Sequence, residues 1–240
     1  MFRFKQFSIR QEVSAMKVGT DGVLLGAWAT VLPEDRLALD VGTGTGVIAL
    51  MLAQRSATAI SGEKPSLRIL GIDLDEAAAG EAAANFAALP WADRLTARAD
   101  SLQSFLAEQA QTPDFVPQFD VIVSNPPFFA ADVAAPDGRR SAARQCGSLP
   151  PSELLAAGAL LLSPSGRLAV IYPPEEASGF RLEAESAGLY LSRQTRVISV
   201  AGQPPKRLLM EFTRIPGQPR FDDLVIGSAE YRALTGDFYL

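Results

Sequence analysis

The chain has 240 residues, 48% of them hydrophobic, which predicts one globular domain with a sizeable core. Its 27 acidic residues outnumber its 22 basic ones, and the net charge of −5 argues mildly against non-specific nucleic-acid binding without excluding a local basic patch. The absence of histidine excludes Ser-His-Asp and Cys-His catalysis and histidine-ligated zinc, and the single Cys146 excludes an internal disulfide.

Predicted strands and helices alternate along most of the chain. The alternating segment 3–10 predicts an edge strand, and the segment 20–31 predicts a first helix capped by Thr20 or Asp21. Further strands are predicted at 37–41, 67–73, 95–99, 119–124, 166–172, 190–200 and 206–214. Further helices are predicted at 46–55, 75–89, 101–110, 152–162 and 175–187, and a tail follows to residue 240. This order predicts an α/β fold, a doubly wound and mainly parallel seven-stranded sheet with an antiparallel edge pair.

A glycine-rich turn joins the first core strand to its helix. It reads Asp-Val-Gly-Thr-Gly-Thr-Gly over residues 40–46, and glycines allow its backbone N–H groups to approach a ligand closely. The dinucleotide pattern would require glycine at position 47, where Val47 stands, and this disfavours a nicotinamide-dependent dehydrogenase. The next strand ends in Asp73, a carboxylate suited to bridging a ribose diol.

The sequence Ser-Asn-Pro-Pro-Phe-Phe follows the apolar strand 119–124. Prolines cannot donate to a sheet ladder, so they hold the backbone open and stiff after the strand. The Asn125 side-chain oxygen and a proline carbonyl can both accept hydrogen bonds from one planar amine, and Phe128 or Phe129 can lie against the ring that carries it. An ordinary strand-ending turn is the alternative interpretation.

Polar residues stand at the ends of four successive predicted strands: the glycine turn, Asp73, Asp100 and Asn125. Ligands of open α/β sheets bind outside the carboxyl ends of the strands. We expect the glycine turn to hold the carboxypropyl or phosphate end of a nucleoside, Asp73 the ribose, Asp100 an adenine edge and Asn125 an acceptor amine. Singly, Asp75 and Asp100 also fit simple helix caps.

The motifs resemble those of S-adenosyl-L-methionine (AdoMet)-dependent class I methyltransferases, in the N-methylating branch with an Asn-Pro-Pro-Phe/Tyr motif. The segment 15–29, Ala-Met-Lys-Val-Gly-Thr-Asp-Gly-Val-Leu-Leu-Gly-Ala-Trp-Ala, together with Lys206 and Arg207, is similar to the bacterial tRNA(Val) adenine-37 N6-methyltransferases. The resemblance runs from about residue 4 to residue 238. Two features depart from the family pattern: Asp73 stands where Glu is common, and the stretch 56–66 is longer than usual.

The resemblance implies a Rossmann-like fold, AdoMet as cofactor, and N6-methylation of an adenine in the tRNA anticodon loop. It implies catalytic roles for Asn125, Pro126, Pro127 and Phe128. The implied cofactor-binding residues are Thr20, Asp40, Gly42, Gly44, Gly46, Asp73, Leu74, Asp100, Ser101 and Asn125. The expected tRNA-binding residues are Arg3, Lys5, Lys17, Arg139, Arg140, Arg144, Lys206 and Arg207.

Several further expectations follow. We expect residues 1–240 to form a single methyltransferase domain. It comprises an N-terminal extension over the site (1–31), a core (32–215) and a C-terminal tail (216–240). We expect a monomer or weak dimer without a metal, and low cysteine use with no apolar leader or span favours the cytoplasm. Guanine-N2 rRNA methyltransferases and protein-glutamine N5 methyltransferases share the Asn-Pro-Pro-Phe motif and remain alternatives, as does a non-catalytic RNA-binding module.

Overall fold

The computed structural model describes residues 1–58, 67–112, 116, 118–127 and 149–239. The strands are β1 (Phe2–Arg3), β2 (Ser8–Ile9), β3 (Leu37–Val41), β4 (Arg68–Asp73), β5 (Leu95–Ala99), β6 (Phe119–Ser124), β7 (Leu162–Tyr172), β8 (Tyr190–Ile198), β9 (Arg207–Thr213) and β10 (Arg220–Val225). The helices are α1 (Thr20–Trp28), α2 (Val47–Thr58), α3 (Glu76–Ala87), α4 (Leu102–Gln111), α5 (Pro151–Leu161), α6 (Pro174–Ser186) and α7 (Ala229–Thr235). A 3₁₀ turn, Ala92–Arg94, precedes β5.

The main sheet has the strand order β10-β8-β9-β7-β6-β3-β4-β5. Strand β9 is antiparallel to both β7 and β8, and every other neighbouring pair is parallel. The mainly parallel sheet with helices is confirmed. The core strands begin and end within a few residues of the predicted ones.

The predicted tail contains regular elements that the sequence analysis did not identify. Residues after 215 form β10, which pairs in parallel with β8, and then α7. Strand β10 carries Arg220, Asp222 and Asp223, so its sequence lacks the apolar run that indicates the other strands. An edge strand tolerates such charges because only one of its sides pairs with a neighbouring strand. The described main sheet therefore has eight strands rather than the predicted seven, and β10 lies outside the antiparallel pair β8–β9.

The chain also differs from prediction at its amino-terminal end. Instead of one edge strand over 3–10, two short strands pair, with Phe2 opposite Ile9. The chain turns between them because Phe4 and Phe7 are both buried, and the Phe4 N–H donates to the Phe7 carbonyl over 2.8 Å. Helix α1 ends at Trp28 rather than at residue 31.

Two apolar clusters cover the two faces of the sheet. Helices α1, α2 and α3 pack on one face, and α4, α5 and α6 pack on the other. Alternation along the buried strands serves both clusters, since Val121 and Val123 face the first and Ile122 the second. Among the described residues, no helix is long and apolar enough to cross a membrane.

Candidate active site

The glycine-rich turn leaves β3 and is held against the end of β4. The N–H groups of Gly42 and Thr43 donate to the Ile72 carbonyl over 2.9 and 3.0 Å. Gly44 has a φ of +54°, and no described heavy atom lies within 4 Å of the position that a Cβ would occupy there. The surface of the turn at Gly44 is therefore open, and its role as a cofactor cradle stays a prediction.

Asp40 lies beneath this turn and is fully buried. Its Oδ2 accepts hydrogen bonds from the Thr43 hydroxyl at 2.8 Å and from the Ala49 N–H, in the first turn of α2, at 3.2 Å. Its Oδ1 has no hydrogen-bond partner among the described residues. Burial raises the pKa of Asp40 to about 7, although its two hydrogen bonds oppose that rise.

Asp73 ends β4 and connects the turn to α3. Its Oδ2 accepts from the Gly44 N–H at 2.8 Å, and its Oδ1 accepts from the Asp75 N–H at 2.9 Å. Burial raises the pKa of Asp73, and these two backbone hydrogen bonds partly offset the rise. Leu74 follows with 61% of its surface exposed at the rim. The structure thus places Asp73 against the glycine turn despite its shorter side chain.

Asp100 and the two helix caps nearby have separate roles. Asp75 caps α3, because its carboxylate accepts from the Ala77 N–H at 2.9 Å. The cap of α4 is Ser101, whose hydroxyl accepts from the Ser104 N–H at 3.0 Å, and not Asp100. Asp100 instead pairs with Arg98 over 2.7 Å, while its N–H donates to the Asp73 carbonyl. Asp100 therefore lies at the rim and does not cap α4.

Asn125 follows β6, which lies directly beside β3 in the sheet. The Ser124 hydroxyl donates to the Val41 carbonyl over 2.9 Å and joins the ends of these two strands. Asn125 is half-buried, and its Oδ1 has no hydrogen-bond partner among the described residues. Pro126 is buried and Pro127 half-buried, whereas Phe128 lies outside the described residues. The amide oxygen is thus buried with its hydrogen-bonding capacity unused by the described residues.

The first turn of α1 packs against both the glycine turn's helix and Asn125. A Cβ at Gly22 would lie 3.3 Å from Val47 Cγ1 and 3.9 Å from Asn125 Nδ2, so only a small residue allows this approach. Thr20 begins the helix and is exposed, and Asp21 pairs with Arg207 over 2.7 Å. Sequence reasoning missed the roles of Thr43 and Gly22. The three-residue spacing from Asp40 to Thr43 was the available signal for the first.

The described basic residues lie in different settings. Arg3 and Lys206 are exposed, whereas the Lys5 amine donates to the Gly236 carbonyl over 2.6 Å. The Lys17 amine donates to the carbonyls of Gln11 and Ser14. The predicted phosphate contacts Arg139, Arg140 and Arg144 lie outside the described residues.

Comparison with known proteins agrees with this geometry. The family described as "Methyltransferase small domain" matches residues 22–175. A tRNA1(Val) (adenine(37)-N6)-methyltransferase of Bacteroides thetaiotaomicron is 43% identical over 245 residues, covering 100% of this chain and 97% of the relative. The protein of the same description from Porphyromonas gingivalis is also 43% identical, covering 100% of this chain and 94% of the relative.

Among solved structures, a predicted O-methyltransferase from Agrobacterium tumefaciens matches the fold with a TM-score of 0.59. It is 17% identical and covers 91% of this chain and 96% of that chain. The fold and the glycine turn therefore define the class, an AdoMet-dependent methyltransferase built on the small-domain core.

Within that class, the chain belongs to the tRNA1(Val) (adenine(37)-N6)-methyltransferase family. Its residues fit AdoMet, the cofactor of this family. The open glycine turn provides the cradle, Asp73 lies at its edge, and the buried Asp40 has an oxygen without a partner among the described residues.

Proposed function

We propose that this protein methylates the N6 amine of an adenine in the anticodon loop of tRNA, at position 37 of tRNA(Val) as its relatives are named. The observation that supports this most directly is Asn125, whose amide oxygen lacks a partner among the described residues and stands beside the glycine turn. AdoMet, when bound, supplies a methyl group on a sulfonium, from which a neutral thioether is a good leaving group.

The proposed task of the protein is to hold the acceptor amine in one orientation. The Asn125 oxygen and the Pro126 carbonyl would accept the two N6 hydrogens, which turns the nitrogen lone pair toward the methyl group. That orientation matters because the lone pair of an exocyclic amine is delocalised into the ring, so positioning contributes much of the rate. The amine itself is the nucleophile, which agrees with a chain that lacks histidine.

The proposed substrate explains the kind of binding surface that we expect. A base in a single-stranded loop can be turned out at a cost of a few kcal/mol and stacked on an aromatic side chain, here Phe128. The basic residues named above would contact phosphates, which predicts a steep salt dependence of tRNA binding. We propose that the protein acts as a monomer or weak dimer, in the cytoplasm where tRNA is found.

Asn125→Ala tests this mechanism. We expect turnover to fall by about 10²–10⁴-fold, because the amine loses one of its two acceptors, while AdoMet affinity changes by less than about threefold. Gln111→Ala removes an exposed amide at the far end of α4 and serves as the control. Near-normal turnover in Asn125→Ala would refute the acceptor role of this residue.

Labelled AdoMet and tRNA from cells lacking this modification test the substrate. Nucleoside analysis by mass spectrometry should find the label in N6-methyladenosine, and sequencing should place it at position 37. Label in N2-methylguanosine would move the acceptor to guanine. An absence of label in RNA, with AdoMet still bound, would favour a glutamine side chain in a protein substrate.

A further inference from the structure

The segment between β2 and α1 contains no regular element, yet side chains of α3 hold it in place. We call residues 10–18 the strap. Glu81 and Asn85 are four residues apart on α3 and therefore lie on the same face of that helix, toward the strap. Both side chains are buried, with 8% and 3% of their surface exposed. Burying polar side chains this deeply is costly unless their hydrogen bonds are satisfied.

Asn85 joins the strap to the glycine-rich turn. Its Oδ1 accepts from the Arg10 N–H at 2.9 Å. Its Nδ2 donates to the Arg10 carbonyl and to the Thr45 carbonyl, each at 2.9 Å. Thr45 lies between the glycines at 44 and 46. A single amide therefore bonds both to the start of the strap and to the turn that cradles the cofactor.

Glu81 fixes the middle of the strap. Its Oε1 accepts from the N–H groups of Glu12 and Val13, and its Oε2 accepts from the Ser14 N–H at 3.0 Å. Burial alone would raise the pKa of Glu81, but its hydrogen bonds to residues 12–14 lower it to about 2. The strap is therefore anchored by a carboxylate that stays ionised at neutral pH.

The strap ends where α1 begins, so its position sets the position of the first helical turn. The Gln11 side-chain oxygen accepts from the Val18 N–H over 2.9 Å. The Lys17 amine donates to the carbonyls of Gln11 and Ser14, which lie within the strap. Four residues beyond the strap, Gly22 packs against Val47 and Asn125. The contacts thus form a continuous path from the glycine turn, through Asn85 and the strap, to the side chain expected to hold the acceptor amine.

We propose that Asn85 is a positioning residue that couples the glycine-rich turn to the strap, so that a ligand on the turn steadies the strap and the first turn of α1. The inference deepens the proposed function and rests on it only for the cofactor at the turn. Asn85 touches neither the cofactor nor the acceptor in this scheme. It transmits order between them through the Thr45 and Arg10 carbonyls.

Limited trypsin digestion measures this coupling at the two strap cleavage sites, Arg10 and Lys17, with products identified by mass spectrometry. The probe is S-adenosylhomocysteine, which occupies the cofactor site without transferring a methyl group. In the unaltered protein we expect saturating probe to slow strap cleavage on the order of tenfold. Asn85→Asp keeps the acceptor oxygen and loses both donors, and in this variant we expect the probe to slow cleavage less than about twofold.

Two further variants separate coupling from general stability. Ala84→Asp places the same charge on the exposed side of the same helical turn and should keep the tenfold protection. Asn85→Ser removes the amide without adding a charge and should lose the protection, which covers the case in which Asn85→Asp does not fold. Glu81→Gln loosens the strap but leaves the Thr45 bond, so cleavage should be faster with and without probe.

Steady-state kinetics give a second readout. We expect Asn85→Ser to raise the KM for AdoMet about tenfold and to change kcat less than about threefold, because the turn loses a support while Asn125 is intact. Protection that persists in both Asn85 variants, or an unaltered protein whose strap is cleaved equally with and without probe, would overturn the inference. The digestion uses no RNA, so its outcome is independent of whether tRNA is the substrate.

Discussion

Two buried carboxylates, one under the glycine-rich turn and one under the strap, have opposite electrostatic properties. Asp40 receives two hydrogen bonds on one oxygen and none on the other from the described residues, and its pKa rises to about 7. Glu81 receives three backbone N–H groups over its two oxygens, and its pKa falls to about 2. Burial dominates at Asp40 and raises its pKa, whereas at Glu81 the hydrogen bonds outweigh the effect of burial, so Glu81 stays ionised at neutral pH. Both oxygens of Glu81 accept hydrogen bonds from the chain, whereas the buried Oδ1 of Asp40 has no partner among the described residues.

Gly46→Ala should cause the largest loss of stability and tests how rigidly the turn rests on α3. Gly46 has a φ of +82°, and a Cβ there would lie 2.4 Å from Phe86 Cε1. Strain and overpacking together should cost about 3–4 kcal/mol. At Gly44, where the Cβ position is open, the same change should cost only about 1–2 kcal/mol. Urea unfolding of the two variants measures the difference, and equal losses would contradict the packing of the turn on Phe86.

Asp40→Asn should change how the free energy of unfolding depends on pH, because the pKa of Asp40 is raised. The folded protein binds a proton on Asp40 up to about pH 7, so stability falls as pH rises from about 4 to 7 and is flat above. Asparagine does not titrate, so the variant should gain about 2–3 kcal/mol relative to the unaltered protein between pH 5 and pH 8. Unfolding free energies measured without cofactor give this difference. A constant gap across that range would mean that Asp40 is ionised throughout.

Glu81→Gln should show the opposite slope. A lowered pKa contributes stability that is complete above about pH 4.5 and is lost as pH falls toward 2. The unaltered protein should therefore be more stable than the variant at pH 7. The difference between their free energies of unfolding should be smaller by about 1–2 kcal/mol at pH 3. Paired urea titrations at the two pH values measure the change. A gap that widens in acid would remove the contrast with Asp40.

Lys17→Met should have the smallest effect and separates two roles for one amine. The Met side chain keeps much of the apolar stem but cannot donate to the strap carbonyls. The free energy of local opening of the strap should therefore fall by about 1 kcal/mol, and its amides should exchange faster with solvent. Hydrogen exchange measures this effect. The salt slope of tRNA binding should stay unchanged if the amine serves only the strap, and a slope lower by about one would identify a phosphate contact.

The sequence predicted the features that follow from local pattern and chain order. Apolar strands alternating with helices specify the parallel sheet, and polar strand ends must meet where β3, β4, β5 and β6 are neighbours. The strap could not be predicted in the same way. Its bonds join backbone groups to Glu81 and Asn85, some seventy residues away, and backbone groups carry no sequence signal. Lys17 was accordingly predicted only as a tRNA-binding residue, without its bonds to the strap carbonyls.

The position of β9 has a consequence for the order in which the molecule assembles during synthesis. Strand β8 pairs only with β9 and β10 in the described part of the chain, so it has no strand partner until residues beyond 206 have been made. Strands β3, β4, β5 and β6, in contrast, follow one another and pair as they emerge. Because chains fold from the amino-terminal side as they are made, the part of the sheet formed by β3 to β6 can form early. Strand β8 stays unpaired until β9 has been made. The strand most exposed to misassembly in a nascent chain is then separated from β6 and β3, which carry the candidate site, by β9 and β7.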